Sequence, residues 1–231
     1  MCLLAVLVAG AGVVGGGAVA SQSAAESQEC PPPNTRTVAR SPSGAAFRRR
    51  GDDDALLACR FGARRPLLLS GGDDVQTHVR MAGRFVAVRD HDDSGSPDPC
   101  YGLSVSVFDL ARTPPADPDV DYPLDPIYDE TRFNCSGPST SEDFNLPTSI
   151  VLKSNGAVAY IRCFSSDMPF GGPYRCRSDM PRQVIKHDAS DARNHFTVLD
   201  VGAQITTQSL RLKRGRITWR NGSQLRSARL R

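Results

Sequence analysis

The run Asp90-His91-Asp92-Asp93-Ser94-Gly95-Ser96-Pro97-Asp98 is where this sequence comes nearest to an arrangement that does chemistry. Read as Asp-x-Asp-x-Ser-Gly-x-x-Asp, it offers oxygens from Asp90, Asp92, Ser94 and Asp98 at positions 1, 3, 5 and 9, with Gly95 at position 6. Calcium takes hard oxygen ligands gathered by one turn, and a glycine lets that turn be sharp. Position 12 is Tyr101, so the bidentate Glu of an EF-hand is missing. The alternative is a plain polar hairpin loop, which uses the same residue types without metal. Calcium at these four residues is the one metal expectation, and no other cofactor is expected.

Two carboxylate clusters, Asp52-Asp53-Asp54 and Asp73-Asp74, each lie beside glycine. Paired carboxylates can act as acid and base on a glycosidic bond when a cleft holds them about 5–10 Å apart. Solvated turn tips are the plainer reading of both. Other catalytic signatures are missing. No Gly-x-Ser-x-Gly elbow occurs, and His78, His91, His187 and His195 show neither His-x-His nor His-Glu-x-x-His spacing, which leaves them as surface or strand-end residues. No glycine-rich phosphate loop leads into a helix. The chain is therefore not expected to be an enzyme, with a glycan hydrolase using paired carboxylates as the alternative.

The cysteines speak to compartment. Met1–Ala20 carries no charge, runs apolar from Leu3 to Gly12, and ends Ala18-Val19-Ala20 before Ser21. That small-x-small ending is a signal-peptide cleavage pattern, although no Lys or Arg precedes the apolar run. Cleavage there removes Cys2 and leaves Cys30, Cys59, Cys100, Cys135, Cys163 and Cys176. An even set in an exported chain reads as disulfides, with fifteen connectivities open. Sequential pairing (Cys30–Cys59, Cys100–Cys135, Cys163–Cys176) closes segments between neighbouring strands. A zinc site would want a Cys-x-x-Cys or a close His partner, and neither is present.

The elements that must hold these residues are strands. From Ala45 onward, short alternating or β-branched runs are bounded by Gly, Pro, Asp or Asn, with almost no helical period. His78–Val88, Ile150–Ile161 and Leu210–Trp219 share one layout: a strand, a turn with Gly83, Gly156 or Gly215, and a second strand. Each glycine stands where a tight hairpin needs a positive φ. A third strand follows each hairpin: LSVSVFDL, RQVIKHD and QLRSARL. Ala45–Arg60 reads as a weaker first copy. Repeated units of about four strands are the mark of propeller blades.

Gly83–Val88 with Ser104–Leu110, a Gly-x-hydrophobic-Ala-hydrophobic run followed by Val-x-Val-x-Asp-Leu, resembles a blade of WD-repeat-like or TolB-like propellers. The Trp-Asp pair and Gly-His of true WD repeats are absent. Residues 45–231, with their Trp219–Leu230 ending, are similar to small exported β-propeller-like proteins of high-GC actinobacteria, a source that also suits an arginine excess over lysine. What the resemblance implies is a fold and a compartment, with no reaction attached.

Composition agrees. Of 231 residues, 39% are hydrophobic, and 28 basic against 25 acidic residues give +3. A disordered chain, a collagen or a multi-span membrane protein is excluded, and the charge is too slight to imply nucleic acid. The basic runs Arg48–Arg50, Arg64-Arg65 and Arg211–Arg231 read as solvent faces of strands, because Leu212, Ile217 and Trp219 interleave with the last of them.

The expected fold is all-β, a small β-propeller-like array of about four antiparallel blades, with a β-sandwich as the alternative. Residues 1–20 are a signal peptide, 21–44 an extended arm and 45–231 the propeller-like domain. Four units leave the last one, Ser209–Leu230, a strand short, and Thr37–Arg40 is expected to pair there and close the ring. The expected function is a secreted or cell-envelope binding or scaffold protein. Its partners are a protein or a cell-wall glycan, not nucleic acid, with membrane contact only through a retained signal segment.

Overall fold

The computed structural model describes residues 30–63, 65–71, 78–93, 101–112, 126–132, 146–163 and 181–231. Among these residues the short alternating runs form fifteen strands, and no helix occurs. The first sheet holds β1 (Thr35–Ser41), β2 (Gly44–Arg49), β3 (Asp52–Arg60) and β4 (Leu67–Gly71). The second holds β5 (His78–Ala82), β6 (Phe85–Asp93), β7 (Tyr101–Asp109) and β8 (Tyr128–Arg132). The third holds β9 (Leu146–Leu152), β10 (Val158–Cys163), β11 (Arg182–His187) and β12 (Thr197–Gly202). The fourth holds β13 (Arg211–Lys213), β14 (Arg216–Asn221) and β15 (Gln224–Arg229). In each sheet the strands pair antiparallel in chain order, so the four repeat units anticipated from the hairpin glycines are four separate sheets.

Period-two alternation decides how the sheets meet. On β6, Val86 and Val88 join a core with Ala46, Leu56 and Ala58 of the first sheet. Phe85 and Ala87, pointing the other way, join Ile150, Val158 and Tyr160 of the third. Ala159 and Ile161 of β10, with Ala157 just before it, turn instead to Ile217 and Trp219 of the fourth and to Leu210 just ahead of it. The sheets therefore stack face to face in sequence order.

Several polar groups trapped at these junctions find partners. The hydroxyls of Tyr128 and Tyr160 lie 2.8 Å apart between the second and third sheets. The Tyr128 ring stacks on buried His187, centroids 4.2 Å apart, and the His187 Nδ1 contacts the His195 carbonyl at 2.7 Å. At the next junction the buried Asp200 carboxylate on β12 gathers donors from the fourth sheet. Trp219 Nε1 donates to it at 2.7 Å, Asn221 Nδ2 at 3.2 Å and the Arg226 guanidinium at 2.9 Å. Asp188 holds the last residues, accepting from the Arg231 backbone N–H at 2.7 Å and from the Lys186 ammonium. Burial pushes the Asp188 carboxyl up, but those two donors outweigh it and hold the carboxyl below its ordinary range.

The N-terminal strand corrects one expectation. β1, which contains Thr37–Arg40, pairs with β2 and completes the first sheet, so it does not close a ring against Ser209–Leu230. Only Pro42 and Ser43 separate β1 from β2, and the Ser41 hydroxyl accepts from the Ser43 N–H at 3.2 Å. A hairpin this short closes a minimal loop, whereas pairing with the last sheet would close nearly the whole chain. The Cys30–Cys59 disulfide, Cα atoms 5.9 Å apart, tethers the chain just ahead of β1 to β3 of the same sheet. Phe47 and Leu57 pack around it.

Gly83, Gly156 and Gly215 have φ of 59°, 93° and 75°, as the hairpin layout requires. Gly156 is the tightest of them. A Cβ there would stand 3.0 Å from Ile127 Cδ1 and 3.0 Å from Phe85 Cε1, inside the contact between the second and third sheets. Gly156→Ala is expected to destabilise the fold by about 1–3 kcal/mol, from the left-handed backbone and the steric contact together, read as a lower denaturant midpoint at unchanged m-value. Asp200→Ala strands three donors at one junction and should cost about 2–4 kcal/mol by the same measurement. A loss under half a kilocalorie would show that the junction does not depend on that carboxylate.

Candidate functional site: a cationic cavity beside the leading strands

A cavity of about 410 Å³ opens where the leading strands of the second, third and fourth sheets come together. Its walls are His78 and Arg80 of β5, Arg89 of β6, Ser149, Ile150 and Val151 of β9, and Gln208, Leu210 and Arg211 at the start of β13. Local structure explains the placement. Val79 enters the core shared with the first sheet, so alternation turns His78 and Arg80 to the opposite face. The two-residue Gly83–Arg84 turn sets the register of the β5–β6 hairpin and brings His78 directly opposite Arg89. Arg211 is steered by its own backbone neighbours, donating to the carbonyls of Gln208 at 2.7 Å and Leu210 at 2.8 Å.

The electrostatics are one-sided. Among the described residues no carboxylate lines the cavity, and none pairs with Arg80 or Arg89. Burial lowers the His78 pKa from its usual 6.5, and the guanidinium charges of Arg89 and Arg80 lower it further. Burial also lowers the Arg89 pKa, although a guanidinium stays charged at any ordinary pH. An imidazole whose pKa two guanidiniums push down reports positive potential, which no carboxylate among the described residues of the cavity wall offsets. Such a pocket suits an anion: Arg80 and Arg89 present forked donors, and the Ser149 hydroxyl and Gln208 amide add neutral ones. Among the described residues no acid–base pair of carboxylates lines it.

The residues singled out in the sequence lie elsewhere. Asp90 and Asp92 fall on β6, opposite Ser104 and Gly102 of β7, while Ser94 and Asp98 lie outside the described residues. Among the described residues no group of three or more His, Cys, Asp or Glu could hold a metal ion. Asp52–Asp54 begin β3, paired through Asp52 with Arg49, and Asp73 and Asp74 lie outside the described residues. Cys30 and Cys59 are joined and Cys163 is disulfide-bonded, with Cys100, Cys135 and Cys176 outside the described residues. Disulfides fit an oxidising, non-cytosolic environment. No helix among the described residues is long and apolar enough to cross a membrane.

Sequence reasoning passed over the cavity because it took His78 for a strand-end residue and Arg211 for a solvent face. A signal was available. With a two-residue turn at Gly83, positions summing to 167 face one another, so His78 meets Arg89 and a like-signed cluster follows from the register alone. Comparison with protein families, with curated proteins and with solved structures finds no match to this chain.

The His78 imidazole should titrate below 6.5 in an NMR pH series. Removing one guanidinium with Arg89→Gln should move that pKa up, short of the free value because burial is the leading cause. A downward move, or none, would show that Arg89 does not act on the ring.

Proposed function

We propose that this is an exported, disulfide-stabilised, β-propeller-like binding protein whose cavity takes an anionic group. One observation carries the reading: a histidine and three arginines converge on a cavity that has no acidic wall among the described residues. Side chains of like charge cost stability when neighbours share a face, so an arrangement with no counter-charge among the described residues is explained by a ligand that supplies it. The anion is a carboxylate, sulfate or phosphate, and a volume of about 410 Å³ fits a small molecule or the end of a glycan chain better than a polymer's middle.

The propeller-like reading rests on the strands that line the cavity. β5, β9 and β13 lead their sheets, and the cavity lies beside all three, as the innermost strands of blades lie about a central axis. Export rests on the Met1–Ala20 signal pattern together with the disulfides. Under this reading the disulfides do for a four-sheet stack what a larger core does elsewhere.

Titration of the oxidised protein with sulfate, phosphate and citrate by calorimetry is the direct test, with saturable 1:1 binding of at least one anion expected. The double variant Arg80→Gln/Arg89→Gln should weaken that binding by about a hundredfold, since a hydrogen bond to a charged group contributes about 1.5–3 kcal/mol. Absence of saturable binding by all three anions, or unchanged affinity in the double variant, would overturn the reading.

A further inference from the structure

The outer face of the fourth sheet carries a second cationic surface, which meets the cavity at Arg211, the residue opposite Thr218 on this face. The sheet's inner face is fixed by Ile217 and Trp219, which are buried against the third sheet. Alternation then places Arg216, Thr218 and Arg220 of β14 on the opposite side. The ladder extends that side across the sheet. Lys213 of β13 stands opposite Arg216, and Arg216 stands opposite Arg229 of β15. Thr218 faces Ser227, and Arg220 faces Leu225, which is 68% exposed.

Lys213, Arg216 and Arg229 thus form a row of three cations directly across three neighbouring strands, all exposed. Like charges placed directly opposite destabilise a sheet, and two such pairs here share Arg216. Among the described residues no carboxylate pairs with any of the three; Arg216 donates only to the Ser227 hydroxyl, at 3.0 Å. Protection of the sheet's two edges would need cations on β13 and β15 only, not Arg216 on the central strand between them. The repulsion is relieved if an anion lies along the row.

We infer that this face binds an acidic polysaccharide, a chain with a carboxylate on successive sugars. Three features select that partner. The face is a flat ladder in which cations follow one another at the strand spacing of about 4.8 Å, close to the length of one sugar ring, so successive carboxylates meet successive cations. Guanidiniums accept carboxylates in a forked geometry, and Thr218, Ser227 and the exposed Leu225 add hydroxyl and apolar contacts suited to sugar rings. Among the described residues of the fourth sheet no aromatic ring lies on this side, since Trp219 is buried on the other, and single-stranded nucleic acid depends on such rings for stacking.

The test uses the full-length oxidised protein, with oligogalacturonate as the probe, neutral dextran as the uncharged control and a single-stranded oligonucleotide of matched charge as the competitor class. Oligogalacturonate should bind, more weakly as salt rises, and dextran should not. The triple variant Lys213→Gln/Arg216→Gln/Arg229→Gln should lose about tenfold or more in affinity, three exposed charge contacts at about 0.5 kcal/mol each. Its melting temperature should hold or rise, because the substitution removes like-charge contacts, so lost binding cannot be put down to misfolding. The cavity variant Arg80→Gln/Arg89→Gln should bind oligogalacturonate as the parent does. Absent binding, equal affinity in the triple variant, loss in the cavity variant instead, or tighter binding of the oligonucleotide would each overturn the inference.

Discussion

Strand β10 has no side left for water: all six of its residues are buried, and its two faces pack on two different sheets. A sheet built around such a strand cannot exist alone or as half of a two-layer sandwich, because one apolar face would stay wet. It must have a partner on each side. The same holds for β6, whose alternate residues enter two different cores. Two successive sheets with this property force a stack, with the first and fourth sheets outermost. The stack fixes which leading strands come near one another, and hence where the cavity forms.

Stacking also buries polar atoms that strand pairing cannot satisfy, and the junctions differ in how they answer this. Between the second and third sheets two tyrosine hydroxyls meet each other and the His187 Nδ1 meets the His195 carbonyl. Between the third and fourth a charge is buried. Asp200 is tolerated because an indole N–H, an amide and a guanidinium reach it, the guanidinium from Arg226, which is itself half in water. Removing a single partner from such a group exposes the cost of desolvation that the others had offset. The fourth sheet has only three strands, and this carboxylate supplies directional bonds that hold three of its side chains to the third sheet.

Much of this architecture was legible and some was not, and the division follows range. The strands and hairpin turns depend on residues within a few positions, so the alternation of Phe85–Val88 and the glycines at 83, 156 and 215 could be read directly. Which sheet β1 joins depends on loop closure, and the short Pro42-Ser43 link settled it against a distant partner that the strand count alone made attractive. The cavity depends on three sheets meeting, and no window of sequence contains that. Its half on the β5–β6 hairpin was nonetheless implicit in the turn register, because His78 and Arg89 must face each other once Gly83 turns the chain. The acidic motifs drew attention through composition, yet composition does not say whether oxygens converge.

Charge ties these surfaces together. Residues 182–231 hold eleven Lys and Arg against three Asp, while the preceding 181 residues hold seventeen against twenty-two. A net charge of +3 conceals this division. Two of the three late carboxylates, Asp188 and Asp200, are buried and engaged by specific donors, so they do little to neutralise the surface. Among the described residues no carboxylate pairs with Arg211 at the cavity or with Arg216 and Arg229 on the outer face. Electrostatic potential falls off over about 8 Å at physiological salt, so the acidic residues of the first half screen this end little unless they lie against it. An anion approaching the fourth sheet therefore meets a positive field that the whole-chain charge does not reveal. The same sheet that packs on the third with its inner face carries, on its outer face, the row Lys213, Arg216 and Arg229.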